Sequence, residues 1–367
     1  MNSLVFSNML HRPMRTVVSI IGIGVGILLI VFTVGLANGS LRERAQREAN
    51  VGAEIMMRAS GSIGLSGSES LRLPQSLTAD VEKVEGVKKA IAIAQNTVSV
   101  TDSTTGSRLV DGVNFDEYAE VAGLDVIKGR GLGPSGDEMI CDSAWMAQKK
   151  LNVGDQIPLY DRSFTLVGIY EPAAGARIKI PLETMQKQLG GEGKASAILV
   201  KITPGADENI VAERLQGKFP DDQIILTSQI EELYMQSVPA LNVFLNVVIG
   251  VAGAISALII LLTMYTTVTE RTRQIGVLKS LGMSNLSVAW TIIKEAMLIS
   301  IGGVIFGLVG TFLLTAALER WTTLTVQIEP RLVGGILVVG IISGIIGALY
   351  PGMRAAKLDP VEALNYE

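Results

Sequence analysis

The chain has 367 residues, of which 48% are hydrophobic and 18% charged, with a formal net charge of −4. Its mean hydropathy of +0.41 is high for a soluble protein. The one histidine, His11, and the one cysteine, Cys141, exclude an internal disulfide, an ordinary His/Cys zinc site and a serine or cysteine hydrolase that uses histidine.

Four apolar runs are long enough to cross a bilayer as helices, which takes roughly 20 residues. The chain is therefore predicted to be an α-helical membrane protein with four transmembrane helices and a mixed α/β extracytoplasmic domain between helices 1 and 2. The predicted spans are residues 17–37, 240–265, 296–317 and 332–350. The predicted segments between them are residues 1–16, the domain with its stalk at 38–239, a coupling segment at 266–295, a loop at 318–331 and a tail at 351–367.

Basic residues near the helix ends set the expected orientation. They are concentrated before the first span, between the second and third, and after the fourth: Arg12, Arg15, Arg271, Arg273, Lys279, Lys294, Arg354 and Lys357. By the positive-inside rule these segments face the cytoplasm. Both termini are thus expected in the cytoplasm and the large domain outside. No clustered basic stripe typical of nucleic-acid binding is present.

Alternating apolar and β-branched stretches predict strands in the inserted domain. They cover residues 87–101, 108–113, 138–141, 164–170, 197–202 and 223–226. Capping and charge signals predict helices at 79–84 and 206–218. Residues 61–68 are rich in glycine and serine and are interpreted as a flexible linker.

A stalk is expected where this domain joins the membrane. Residues 41–49 follow the first span, and a capping box at Ser228–Glu231 opens a helix that Pro239 should kink or interrupt. The two segments are the covalent links between domain and membrane, so they are expected to pair. The candidate stalk residues are Leu41, Arg44, Glu231 and Glu232.

Two glycine-containing stretches of the sequence come nearest to a phosphate-binding loop. Residues 190–195 and 217–219 both lack the Gly-Lys-Ser/Thr sequence that binds phosphate and magnesium. The chain is therefore expected to be non-catalytic and to bind no cofactor itself. If ATP is used, a separate chain must hydrolyse it.

Residues 270–282, between the second and third spans, predict a short amphipathic helix with a charged start. At about 100° per residue, Ile275, Val277, Leu278 and Leu281 share one arc. Such a helix suits either lipid headgroups or a cytoplasmic partner.

The same segment resembles a family signature, Glu-Arg-x-Arg-Glu-Ile-Gly-x-x-Lys/Arg-Ala-Leu-Gly, of the FtsX-like permeases of ABC transporters. Residues 15–23 and 351–364 are similar to the opening and closing motifs of that family. Gly129-Arg130 and residues 150–155 resemble the MacB-type periplasmic domain. Gln274 and Asn365 depart from the pattern, since glutamate and arginine are common there.

The resemblance implies a permease subunit in the inner (plasma) membrane of a bacterial cell. It implies a second permease copy, identical or a paralogue, and two copies of a cytoplasmic ATPase that bind ATP and Mg²⁺. A periplasmic adaptor (membrane fusion protein) is a further expected partner. The resemblance also implies mechanotransmission, in which ATPase motion moves the outer domain. Carried over by position, the ATPase-coupling residues are Glu270, Arg271, Arg273, Ile275, Gly276, Leu278, Lys279 and Gly282.

The spans themselves are rich in small residues and carry no charge at their centres. Gly303-x-x-x-Gly307 permits close helix packing, either within one chain or between copies. Two functions fit this pattern. One is export or extraction of a lipid, lipoprotein, peptide or drug-like molecule, and the other is regulation of a cell-wall hydrolase or sensor. The outer domain is larger than in FtsX proteins and has the MacB-type motifs, which favours transport.

Overall fold

The computed structural model describes residues 13–60, 71–100, 106–236, 239–320, 326–328, 330–359 and 363. The chain divides into two compact units. The helical unit comprises Met1–Gly39 and Pro239–Glu367, and the inserted domain comprises Ser40–Val238. The predicted linker at 61–68, His11 and Arg12 lie outside the described residues.

The helices are α1 (Pro13–Ala49), α2 (Leu77–Val81), α3 (Phe115–Ala122), α4 (Ser143–Lys149), α5 (Leu182–Gln188), α6 (Glu208–Lys218), α7 (Ile230–Gln236), α8 (Pro239–Glu270), α9 (Thr272–Ser280), α10 (Asn285–Glu319) and α11 (Pro330–Ala356). The strands are β1 (Ile55–Ala59), β2 (Leu73–Pro74), β3 (Val87–Val100), β4 (Gly106–Val113), β5 (Asp125–Gly129), β6 (Glu138–Asp142), β7 (Gln156–Leu159), β8 (Arg162–Glu171), β9 (Ile178–Pro181), β10 (Lys194–Ala195), β11 (Ala197–Ile202) and β12 (Asp222–Leu226).

Four helices of the described chain, α1, α8, α10 and α11, are long and apolar enough to span a membrane. The predicted fold class, four membrane helices with a mixed α/β domain, is confirmed. Each helix is longer than its apolar run. In particular, α1 continues to Ala49, so the first predicted span and the first predicted stalk segment form one helix. At 1.5 Å per residue its 37 residues measure ~55 Å.

Glycines bring the backbones of α1 and α10 into close contact within the helical unit. A Cβ at Gly307 would lie 2.7 Å from the carbonyl oxygen of Gly24, and one at Gly303 would lie 2.6 Å from Cγ2 of Ile23. On α11, a Cβ at Gly347 would lie 2.4 Å from the carbonyl oxygen of Ala257 on α8. Packing of this kind replaces the hydrophobic driving force that lipid cannot supply.

In the inserted domain, ten strands of the described chain form one mixed sheet in the order β12-β1-β11-β3-β4-β9-β6-β8-β5, with β7 paired to β8. Side chains alternate between its two faces, as the period of a strand requires. Met57 of β1 enters a core with Val81, Trp145 and Leu215. Met56 enters the opposite core with Ala45, Tyr118, Ile230 and Tyr234.

All six predicted strands are present, but other elements differ from the sequence expectations. The helix predicted at 79–84 is α2, which begins at Leu77 and ends at Val81. The predicted capping box is wrong because Ser228 lies inside a 3-10 turn, Thr227–Gln229, that leads directly into α7. Its hydroxyl donates to Oε1 of Glu208 at 3.1 Å instead. Pro239 opens α8.

A fully buried ion pair joins the central strands β4 and β9. Nζ of Lys179 lies 3.1 Å from Oδ2 of Asp111, and the two side chains are 0% and 1% exposed. The ammonium also lies 4.6 Å from the ring centroid of Tyr118. Burial lowers the pKa of Lys179, and the nearby Asp111 charge opposes that shift. A buried charge is tolerated only with such partners.

The substitution Lys179→Met should destabilise the inserted domain by about 3–5 kcal/mol, because it leaves the Asp111 carboxylate buried without its counter-charge. Hydrogen exchange of β4 and β9 in the full-length protein measures this, and exchange should accelerate in both strands. Lys187→Met is the matched control, since Lys187 pairs with Glu183 on the surface of α5. Equal exchange in the two variants would contradict the assignment.

The substitution Gly307→Ala should destabilise the helical unit by about 1–3 kcal/mol, because the added methyl group meets the backbone of Gly24. Gly250→Ala on α8 is the control, since its Cβ would meet nothing within 4 Å. Thermal unfolding of both variants in one detergent checks the difference. Unfolding of Gly307→Ala at the wild-type temperature would contradict the close backbone contact between α1 and α10.

Candidate functional site

The short helix α9 lies between α8 and α10 and is stopped sharply at both ends. Arg271 precedes it in a turn, and its N–H donates to the carbonyls of Thr267 and Val268, both at 3.2 Å. At the other end Gly282 has a φ of +94°, a conformation that favours glycine. The N–H of Met283 donates back to Leu278 at 3.1 Å. The family glycine at 282 therefore terminates the helix.

The predicted apolar arc of α9 is split between two faces. Ile275 packs into the core of the helical unit and is 9% exposed. Val277, Leu278 and Leu281 are 43%, 36% and 79% exposed. The placement of Ile275 on the same face as these residues was wrong, because Thr272 and Gly276 share its buried side. The single chain thus presents an apolar face at 277, 278 and 281.

Charged side chains of the same motif hold α9 to neighbouring helices. Nζ of Lys279 donates to the carbonyls of Ala356 at 2.9 Å and Leu358 at 2.6 Å, at the end of α11. A lysine there satisfies carbonyls that a helix end leaves without partners and complements its dipole.

Two ion pairs also connect residues at the start of this motif to α10 and α1. Nη1 of Arg271 lies 3.8 Å from Oε2 of Glu295 on α10, and Glu295 is 3% exposed. Nη1 of Arg15 on α1 lies 3.2 Å from Oε2 of Glu270. Arg273, by contrast, is exposed. Arg271, Ile275, Gly276 and Lys279 therefore contact the helical unit. Glu270 is exposed but paired with Arg15, and Arg273 and Leu278 are exposed.

A cavity of about 350 Å³ lies between α8, α9 and α10. Thr267 and Val268 line it from α8, Leu278 from α9, and Ile292 and Glu295 from α10. Leu278 therefore borders both the cavity and the outer face of α9. A change at this position reaches the junction of all three helices.

The two candidate stalk segments contact each other inside the inserted domain. Arg42 on α1 forms an ion pair with Glu231 on α7, and the guanidinium of Arg44 lies 5.7 Å from the ring centroid of Tyr234. Leu41 is half-buried and Glu232 is exposed. The structure thus places the two predicted stalk segments side by side, with Arg42 and Tyr234 as contacts that sequence analysis missed.

The two motifs of the inserted domain have structural explanations. Gly129 has a φ of +83°, and a Cβ there would lie 2.2 Å from the carbonyl oxygen of Val167. Next to it, the Arg130 guanidinium holds the pKa of the Glu138 carboxyl below its usual value. Asp155 accepts a hydrogen bond from the N–H of Asn152 at 2.7 Å, which shapes the turn at Gly154. These motifs build loops.

Groups that could perform chemistry are sparse in the described residues. No cluster of three or more His, Cys, Asp and Glu side chains that could hold a metal ion is found among them. Cys141 is fully buried, and burial raises the pKa of its thiol to about 12. At neutral pH that thiol is protonated and acts as a small core residue.

Comparison with known proteins agrees with the sequence motifs. Residues 16–218 match the MacB-like periplasmic core domain, and residues 246–360 match the FtsX-like permease C-terminal domain. An ABC transporter permease of Methanocaldococcus jannaschii is 25% identical, with 99% of this chain and 96% of that protein aligned. The permease YknZ of Bacillus subtilis is 23% identical, with 99% and 98% aligned.

Longer relatives and solved structures also match. The macrolide export ATP-binding/permease protein MacB of Bdellovibrio bacteriovorus is 22% identical over 99% of this chain, which covers 61% of that protein. The crystal structure of the periplasmic region of MacB from Actinobacillus actinomycetemcomitans matches 50% of this chain and 93% of its own, with 18% identity and a TM-score of 0.38. Together, the two domain matches show that the chain belongs to the FtsX-like permeases of ABC transporters and carries a MacB-like periplasmic core domain.

Proposed function

We propose that this permease couples ATP hydrolysis by a separate cytoplasmic ATPase to movement of its inserted domain. In this mechanism α9 is the coupling helix, and the permease works as a dimer with two ATPase copies. The observation that carries the proposal is the two-sided character of α9. One side is bonded to α8, α10 and α11, and the other exposes Val277, Leu278 and Leu281.

The exposed side of α9 has the chemistry of a helix that enters a groove in a partner. Three apolar side chains within five residues provide the anchors, and Arg273 adds a charge beside them. The buried side supports the transfer of motion. A displacement of α9 would pull on Ala356 and Leu358 through Lys279, and on Glu295 through Arg271.

The spans favour mechanical transmission over a polar channel. Residues 17–36, 241–265, 296–317 and 332–350 contain no Asp, Glu, Lys or Arg. An ion or substrate path through a membrane protein is ordinarily marked by such groups. The glycine contacts of α10 with α1 instead place helix backbones against each other. We therefore propose that movement of the inserted domain performs the mechanical work, and that the coupling helix and both termini lie in the cytoplasm.

The proposed work is export or extraction of an apolar or amphipathic molecule, such as a lipid, lipoprotein, peptide or drug-like compound, with a periplasmic adaptor as a partner. The relative from Bdellovibrio bacteriovorus is named for macrolide export, which supports this class. In this proposal ATP and Mg²⁺ are bound by the ATPase, since the sequence of this chain contains no Gly-Lys-Ser/Thr phosphate loop.

The substitution Leu278→Asp should abolish coupling, because a carboxylate would have to be buried in the apolar groove of the ATPase. Permease-stimulated ATP hydrolysis in nanodiscs should fall to the basal rate of the ATPase. Ser280→Asp is the control, since this exposed residue places the same charge on the same helix. Wild-type copurification and stimulation in Leu278→Asp would contradict the role of α9.

Insertion of three glycines after Arg44, and of three more after Gln236, should uncouple the inserted domain, because a compliant linker absorbs the displacement. Spin labels at the exposed Glu232 of each copy measure the movement in nucleotide-free and ATP-trapped complexes. The distance should change in the parent and stay constant in the insertion variant. The same insertion at residues 61–68 is the control. An unchanged distance in the parent would contradict mechanotransmission.

A further inference from the structure

The last two turns of α1 end against a short loop between β8 and β9. This loop, residues 174–177, is called the socket below. The N–H of Gly175 donates to the carbonyl of Arg47 at 2.7 Å, and Nη1 of Arg47 donates to the carbonyl of Gly175 at 2.8 Å. The two hydrogen bonds run in opposite directions between the same two residues. One joins backbone to backbone, and the other joins the Arg47 side chain to the backbone of the loop.

An arginine of the socket adds a second connection to the same helix. Nη2 of Arg177 donates to Oε1 of Glu43 at 2.8 Å, and Nε of Arg47 donates to the same oxygen at 2.8 Å. Glu43 is therefore shared by a helix arginine and a socket arginine. The Arg177 side chain is 18% exposed and that of Glu43 is 28% exposed, so solvent screens this pair only in part.

Buried side chains of the sheet hold the socket in place. Nζ of Lys179 donates to the carbonyls of Ala174 at 2.8 Å and Ala176 at 3.1 Å. The N–H of Ala176 donates to Oδ2 of Asp111 at 2.7 Å. Gly175 has a φ of +58°, and a Cβ there would lie 2.5 Å from the same carboxylate oxygen. The loop is thus held by the buried ion pair of β4 and β9.

Arg177 also connects the socket to β6 and α4. Its Nη1 lies 3.0 Å from Oδ2 of Asp142. The Oδ1 atom of Asp142 accepts from the N–H of Trp145 at 2.6 Å and caps α4. One guanidinium therefore bridges α1, β6 and the start of α4. The Asp142 side chain is 1% exposed, so solvent screens this pair less than it screens a surface ion pair.

We propose that the socket is the joint through which movement of α1 enters the inserted domain, with Arg47 and Arg177 as positioning residues. The inference rests on the proposed function, since it names where the transmitted displacement is received. The ion pair of Arg42 with Glu231 and the contact of Arg44 with Tyr234 join the two stalk segments to each other. The socket joins α1 to the sheet.

The test uses the variant Arg47→Gln/Arg177→Gln in the full-length permease with its ATPase. One pair of spin labels, at Gln46 and Lys187 of the same chain, reports movement of α1 against the sheet. A second pair, at Lys187 of each copy, reports movement of the sheets. In the parent, ATP trapping should change the second distance and leave the first constant. In the variant the first distance should change, and the change in the second should fall by at least half.

The control is Arg162→Gln/Arg214→Gln, which removes two arginines from surface ion pairs of the same domain and should behave as the parent. Unaltered hydrogen exchange of β4 and β9 verifies folding. If the double variant fails to fold, Glu43→Gln removes the shared carboxylate from the half-buried side of the helix, and Glu43→Asp should restore part of the response.

The outcomes separate the two proposals. If ATP trapping does not change the distance between the Lys187 labels of the two wild-type copies, the proposed function is wrong. A responsive parent with an equally responsive Arg47→Gln/Arg177→Gln or Glu43→Gln variant overturns the socket alone.

Discussion

The glycine contact between α1 and α10 is the constraint on which the helical unit depends. Lipid offers no hydrophobic driving force between helices, so close backbone approach must supply the packing energy. Gly24, Gly303 and Gly307 provide that approach, because any side chain at these positions would overlap its neighbour. α1 continues from this contact to Ala49. The same helix therefore carries residues of the membrane core and residues that the inserted domain binds.

Charged side chains hold different elements in place in the helical unit and in the inserted domain. In the helical unit, Lys279 bonds α9 to the end of α11, and Arg271 at the start of α9 pairs with Glu295 on α10. Glu270 at the end of α8 pairs with Arg15 on α1. In the inserted domain, Lys179 and Asp111 are buried completely and hold a loop. Buried pairs of this kind are costly to form and costly to break. They fix geometry at the places where the proposed mechanism requires a stiff connection.

The sequence predicted the four spans and the outward apolar residues of α9 because both follow from hydropathy and helical period. It did not predict β1 or β9. Each contains a charged residue, Arg58 or Lys179, of a type that is usually exposed but is buried in this domain. The predicted arc also grouped Ile275 with the exposed residues, because the sequence of one helix does not show which of its sides the neighbouring helices cover. The socket was missed because its contacts with α1 join residues more than a hundred positions apart.

Hydrogen exchange of the ATP-trapped complex in lipid nanodiscs tests the central claim most directly, since it reports backbone opening in every segment at once. If the complex moves without opening a hydrated path through the membrane, the centres of the four spans should stay protected from exchange. Exchange should change in α9, in α7 and at the end of α1. Faster exchange in the centres of the spans, with no change in α7, would contradict the account and indicate a translocation path through the helices.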